Sequence, residues 1–262
     1  MVSYHFCTLN KKGEEMKAGI MLVVLVVGLM ASVVDAQETN AVEVSYTVGV
    51  VDKYLLPTGG TVYDGRTMMQ GDLTVSLPNG LYVSFWGARG FGDLKDDLRG
   101  DEVDYIIGWA SDVGPCAVDI ALVYYDIAPV FKGRMDNIWA PYVKVSSPEY
   151  EFGQLAVSPF GRIEVDIPEA GSSFGGGAFF SAGVDSSYVL SDQVVVNYSP
   201  SLTYDNGAYD GEKNFICAQV ISLDMTVGPL VVSPNFLLTV PLQEDENREV
   251  ETCFGLSVAG AF

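Results

Sequence analysis

The stretch Met69-Gln70-Gly71-Asp72-Leu73-Thr74-Val75-Ser76-Leu77-Pro78-Asn79-Gly80-Leu81-Tyr82-Val83-Ser84-Phe85 decides the fold class. In an extended chain successive side chains point to opposite sides, so Met69, Gly71, Leu73, Val75 and Leu77 share one face and Gln70, Asp72, Thr74 and Ser76 the other. Pro78-Asn79-Gly80 is a turn signature, and Leu81, Val83 and Phe85 resume the alternation beyond it. The unit is a hairpin with one apolar and one polar face on each arm.

The same period recurs along the chain. Val44, Tyr46, Val48 and Val50 oppose Glu43, Ser45 and Thr47; Val103, Tyr105, Ile107 and Trp109 oppose Asp104; Val118, Ile120, Leu122 and Tyr124 oppose Asp119. Less regular strands are expected near 138–146, 152–165, 177–189 and 193–204. Toward the end, Ile221, Leu223 and Met225 oppose Asp224, Leu230 to Val240 oppose Ser233, Asn235 and Thr239, and Phe254, Leu256, Val258 and Phe262 oppose Glu251 and Ser257. The count is twelve strands.

Connections alternate in length. Short turn signals lie at 78–80, 111–115, 147–149, 190–192 and 228–229, and longer polar stretches at 52–66, 89–101, 127–137, 166–176, 205–212 and 243–248. Short turns at one end and long loops at the other are the pattern of a transmembrane barrel. The expected fold is therefore all-β: a transmembrane antiparallel up-and-down β-barrel, about 12 strands, in the cell outer membrane. A soluble secreted β-sandwich is the competing fold. Tyr82, Trp86, Trp109, Tyr124, Tyr125, Trp139, Tyr142, Tyr188 and Tyr198 are candidates for the interfacial aromatic girdles.

Lys17 precedes an uncharged run, Ala18–Val34, and Val34-Asp35-Ala36 has small residues at the positions that flank a cleavage site. Residues 1–36 are expected to be a cleaved signal peptide, with Met16 the more natural start, and residues 37–262 the barrel. Processing would remove His5, the one histidine, and Cys7, leaving Cys116, Cys217 and Cys253, either one disulfide with a leftover thiol or three free cysteines.

Composition excludes several function classes. With 34 acidic and 14 basic residues the chain carries a net charge of −20, which repels phosphate and argues against nucleic acid as a partner. A hydrolase built on an imidazole base is excluded once His5 is gone, so no catalytic residue and no cofactor are expected. The acidic run Asp93, Asp96, Asp97, Asp101 and Glu102 lacks an EF-hand spacing and is interrupted by Lys95 and Arg99, so no metal site is assigned to it.

Val48-Gly49-Val50-Val51-Asp52-Lys53-Tyr54, the run Gly80 to Trp86, Glu102-Val103-Asp104-Tyr105 with Gly108, and Asp119 to Tyr125 followed by Asp126 together resemble the TorF-family porins, small outer-membrane barrels of Gram-negative bacteria. The resemblance covers roughly residues 45–130 at motif level. It implies an envelope barrel with a transport role.

The expected function is a porin-like channel for small solutes or ions; the alternative is a closed structural or adhesive barrel without transport. Assigning each polar face to the lumen puts Glu43, Asp72, Asp104, Asp119, Glu164, Asp185, Asp224 and Glu251 inside against Lys144 and Arg162, which predicts a preference for cations. The partners expected are the outer-membrane bilayer, the barrel-assembly machinery and the solutes, with Phe262 as the C-terminal assembly signal.

Overall fold

The computed structural model describes residues 42–55, 61–62, 67–91, 101–126, 137–170, 175–208, 213–243 and 249–261. The strands are β1 (Glu43–Val51), β2 (Tyr54–Leu55), β3 (Thr61–Val62), β4 (Met68–Ser76), β5 (Leu81–Gly90), β6 (Asp101–Val113), β7 (Cys116–Asp126) and β8 (Ile138–Ser146). They continue with β9 (Tyr150–Phe152), β10 (Leu155–Pro168), β11 (Gly177–Ser191), β12 (Val194–Asp205), β13 (Asn214–Val227), β14 (Leu230–Pro241) and β15 (Glu251–Ala261). All but β2, β3 and β9 pair antiparallel with their neighbours in chain order, and β15 returns to β1, so twelve strands close into a barrel. Closure leaves no open edge along the wall, which is what a bilayer without water to satisfy backbone amides requires. The expected signal peptide, the Met16 start, Phe262 and Asp93, Asp96 and Asp97 lie outside the described residues.

The short turns follow from their sequences. Leu77-Pro78-Asn79-Gly80 closes with a Gly80 N–H to Leu77 carbonyl bond of 3.0 Å, and Gly80 takes φ +86°. That is a three-residue hairpin loop ending in a left-handed residue. Gly114-Pro115 and Gly228-Pro229 make two-residue turns in which the glycine supplies φ of +63° and +62°. The turn expected at 147–149 lies instead at Gly153-Gln154: β9 pairs with the start of β10, Phe152 opposite Leu155, and Gly153 has φ +71°. Pro148 has no N–H to donate and so interrupts a strand without reversing it.

Which way each side chain faces can be read from the register. Val50 pairs with Leu256 and Met69, and the three are 43%, 52% and 46% exposed; one residue on, Val51 pairs with Met68 and they are 6% and 1% exposed. The exposed apolar set continues around the ring through Ile107, Ile120, Val143, Ile163, Leu202 and Ile221. Large apolar groups turned outward on every side belong against lipid rather than water.

Outward-facing aromatics also form cross-strand rows. Phe85, Tyr105, Tyr124 and Trp139 are directly paired on β5 to β8, with ring centroids 5.9, 6.3 and 4.5 Å apart. Phe180, Tyr204 and Phe215 continue the pattern on β11 to β13, and Phe236 with Phe254 on β14 and β15. Of the girdle candidates, Trp109, Tyr124, Trp139, Tyr188 and Tyr198 share the outward face, whereas Tyr82, Trp86, Tyr125 and Tyr142 face inward.

Beyond β1 the chain stays close to β15. Asp52 N–H donates to the Phe254 carbonyl at 2.9 Å, and Phe254 N–H donates to Asp52 Oδ1 at 2.8 Å. Lys53 forms an ion pair with Glu251, and its carbonyl accepts from Cys253 Sγ at 3.0 Å. Leu55 on β2 then packs inside the ring against Val51, Met68, Ala88 and Cys253, with Trp86 and Leu237 beside them.

Candidate functional site

The inner wall is the candidate site. Its buried members gather on the half nearer the long connections: Val51, Met68, Glu102, Asp104, Glu164, Asp166, Asp205, Asn214 and Thr239 all lie within a few residues of strand ends on that side. Around the ring the two kinds of side chain separate. The apolar cluster centres on β1, and the carboxylates Glu164 and Asp166 stand on β10, six strands away around the twelve.

Each sequence-predicted lining residue can be placed. Glu43 is exposed at the turn-side end of β1. Asp72 accepts a hydrogen bond from Thr47 on β1. Asp119 on β7 accepts from the Tyr82 and Tyr142 hydroxyls, each at 2.8 Å, so β5, β7 and β8 are tied across the inner surface. Asp224 accepts from Asn197 Nδ2 at 2.7 Å, and Asp185 pairs with Lys144 at 3.3 Å. Glu251 holds Lys53, and Asp104 hydrogen-bonds to Glu102. Every one of these acids falls on the face opposite the exposed apolar side chains.

Two of the bases at the inner wall, Lys144 and Arg162, stand over aromatic rings, and a third, Lys53, pairs with Glu251. Arg162 Cζ lies 4.1 Å from the Tyr142 ring centroid and pairs with Glu164, while Lys144 Nζ lies 4.6 Å from the Phe160 centroid. A cation over a ring face, with a carboxylate at its edge, is attracted by both. Two glycines let the rings lie flat on the wall. A Cβ on Gly108 would come 2.4 Å from Tyr82 Cζ, and one on Gly183 would come 2.7 Å from Phe160 Cζ.

Glu102, which alternates with Asp104 along β6, is inward and buried as well, and so are Asp166 and Asp205. Asp166 and Asp205 open the polar stretches 166–176 and 205–212 in the sequence, yet β10 runs to Pro168 and β12 to Asp205. The signal that could have found them is parity: Arg162, Glu164 and Asp166 step by two along one face. Among the described residues Cys116, Cys217 and Cys253 are free, with Cys253 inward and Cys217 outward. Among the described residues no group of His, Cys, Asp and Glu has metal-ligand geometry.

A closed barrel with an apolar belt outside and polar groups inside defines the class, an outer-membrane β-barrel of porin type, whose place is the outer membrane. Solved structures with the same fold include a NanC porin (TM-score 0.51, 11% identity, 84% of this chain and 99% of that one). A KdgM porin gives TM-score 0.51 at 9% identity over 84% of this chain and 99% of that one. The COG4313 outer membrane channel from Pseudomonas putida F1 gives TM-score 0.50 at 12% identity, covering 87% and 100%. At the level of sequence, residues 35–158 match the family described as "Bacterial protein of unknown function (Gcw_chp)". No curated protein matches the chain significantly.

Proposed function

We propose that the barrel is a porin-like channel for small solutes that prefers cations. The observation that carries this reading is the sign of the inner wall, where among the described residues Asp72, Asp104, Asp119, Asp185, Asp224 and Glu251 outnumber Lys53, Lys144 and Arg162. A wall of one sign in a confined lumen concentrates counterions, most strongly at low salt, where the Debye length is ~30 Å at 0.01 M. The TorF-like motifs lie within residues 35–158, the span matched by the family of unknown function. One KdgM porin structure is a complex with disordered oligogalacturonate. Such an anionic oligomer would be repelled by the acidic wall here, so that solute is not carried over. The reading assigns no catalytic residue.

Reversal potentials of the refolded barrel in a potassium chloride gradient test the proposal. Cation preference is expected, weakened when Asp104→Asn and Asp119→Asn are combined; an anion-selective pore would overturn it. A second reading, a closed structural barrel, draws on the apolar cluster that Leu55 completes inside the ring. Folded, inserted protein without conductance would decide for it.

A further inference from the structure

The outward face of β11 to β13 carries a polar seam inside the apolar belt. Ser186, Tyr198 and Gln219 all point outward, in the register that also turns Leu202 and Ile221 toward lipid. Ser186 Oγ donates to the Tyr198 carbonyl at 2.6 Å, and the Tyr198 hydroxyl donates to Gln219 Oε1 at 3.3 Å. Gln219 stands between Pro200 and Leu238 on the adjacent strands, and along its own face between Phe215 and Ile221. Four residues from Phe215 of the aromatic row, the amide lies roughly 10 Å inside an apolar band about 25 Å tall. Its nitrogen carries two N–H donors, and neither meets an acceptor among the described residues. Lipid tails offer no acceptor, so an amide at this depth is costly unless a protein group reaches it from outside the ring.

We propose that this seam is where a second copy of the chain docks side by side in the membrane, with Gln219 of each barrel donating to the carbonyl of the partner's Gln219. An amide has both a donor and an acceptor, so it is its own complement across a two-fold axis, the symmetry of a closed pair of identical subunits. The carbonyl oxygen that accepts from Tyr198 keeps a second lone pair for this bond. Beside the amide the outward positions Pro200, Ala182 and Gly161 are short, which lets a second wall come within hydrogen-bonding reach. The interface belongs to the outer face and holds whether or not the lumen passes solutes.

Sedimentation equilibrium of the refolded barrel in density-matched detergent measures the mass of the assembly, and a lipid-soluble bismaleimide added to the barrel in vesicles identifies the face in contact. Cys217 lies two residues from Gln219 on the same outward face, whereas Cys116 stands on β7, across the ring. A dimer is expected, with a cross-linked product that Cys217→Ser abolishes and Cys116→Ser leaves intact. Gln219→Leu is expected to weaken association at least tenfold, while the urea unfolding midpoint of dilute, monomeric protein stays level or rises, because the belt becomes uniformly apolar. A residue that merely braced the wall would lower both. Gln219→Asn, which keeps the amide, should retain part of the association. A monomeric mass together with no Cys217 product would overturn the interface, as would a dimer that Gln219→Leu leaves as tight as the parent, or one cross-linked through Cys116 alone.

Discussion

Gly108 shows how a missing side chain positions a functional one. The Tyr82 ring lies where a Cβ would be, 2.4 Å from that position, and from there its hydroxyl reaches Asp119. Gly108→Ala should therefore push Tyr82 off the wall and destabilise the barrel by ~1–3 kcal/mol, the usual cost of overpacking. Gly87→Ala, whose Cβ would approach nothing closer than 3.6 Å, should be nearly neutral. Urea unfolding midpoints of the refolded barrel, followed by tryptophan fluorescence, check the pair; equal midpoints would refute the account. Asp104 and Asp119 could be assigned to the inner wall from sequence because apolar residues flank them on regular strands. Tyr82 and Tyr142 could not, since a tyrosine suits either a lipid interface or a wet lumen, and only the register of Gly108 and Asp119 beside them decides.

At the level of the element, the hairpins whose turns carry Gly-Pro were legible because that dipeptide has few backbone options. Gly supplies a positive φ that Pro cannot. Gly228 has φ +62° and nothing within 4 Å of its absent Cβ, so replacement acts through the backbone alone. Gly228→Val should cost about 1 kcal/mol or more, and Gly228→Asn less, because Asn tolerates the left-handed region. The same unfolding midpoints should fall in that order, and a Val variant as stable as the parent would exclude strain at this turn. The hairpin between β8 and β10 was less legible. Ser147-Pro148-Glu149 has turn composition, yet the reversal sits at Gly153, where β9 can pair. Strand ends failed similarly: β10 and β12 continue through Asp166 and Asp205, whose polarity resembles a loop when only the lipid-facing residues are apolar.

For the molecule as a whole, alternation along the strands together with alternating connection lengths was enough to specify closure, because only a ring satisfies both faces in lipid. A neighbouring pair of substitutions tests this global orientation. Ile107 is 54% exposed, while Ile106 pairs with the buried Ser84 on the inner face. Ile107→Lys should cost ~2–4 kcal/mol at mid-membrane depth, and Ile106→Lys clearly less in a wet lumen. The ratio of folded to unfolded bands on unheated gels after refolding into vesicles reads the difference; the reverse order would turn the barrel inside out. What no periodicity announced is the path of Asp52, Lys53 and Leu55. Every other neighbouring pair in the ring is linked by a connection, whereas β1 and β15 meet from opposite ends of the chain, with Ser45 facing Ala261. A hairpin inherits its alignment from its turn. This pair has no turn to inherit from, and a slip by two residues would keep every apolar side chain outward. Asp52 on Phe254, Lys53 on Glu251 and Cys253 on the Lys53 carbonyl act there as index pins, so that the junction between the two ends of the barrel can click into one notch only.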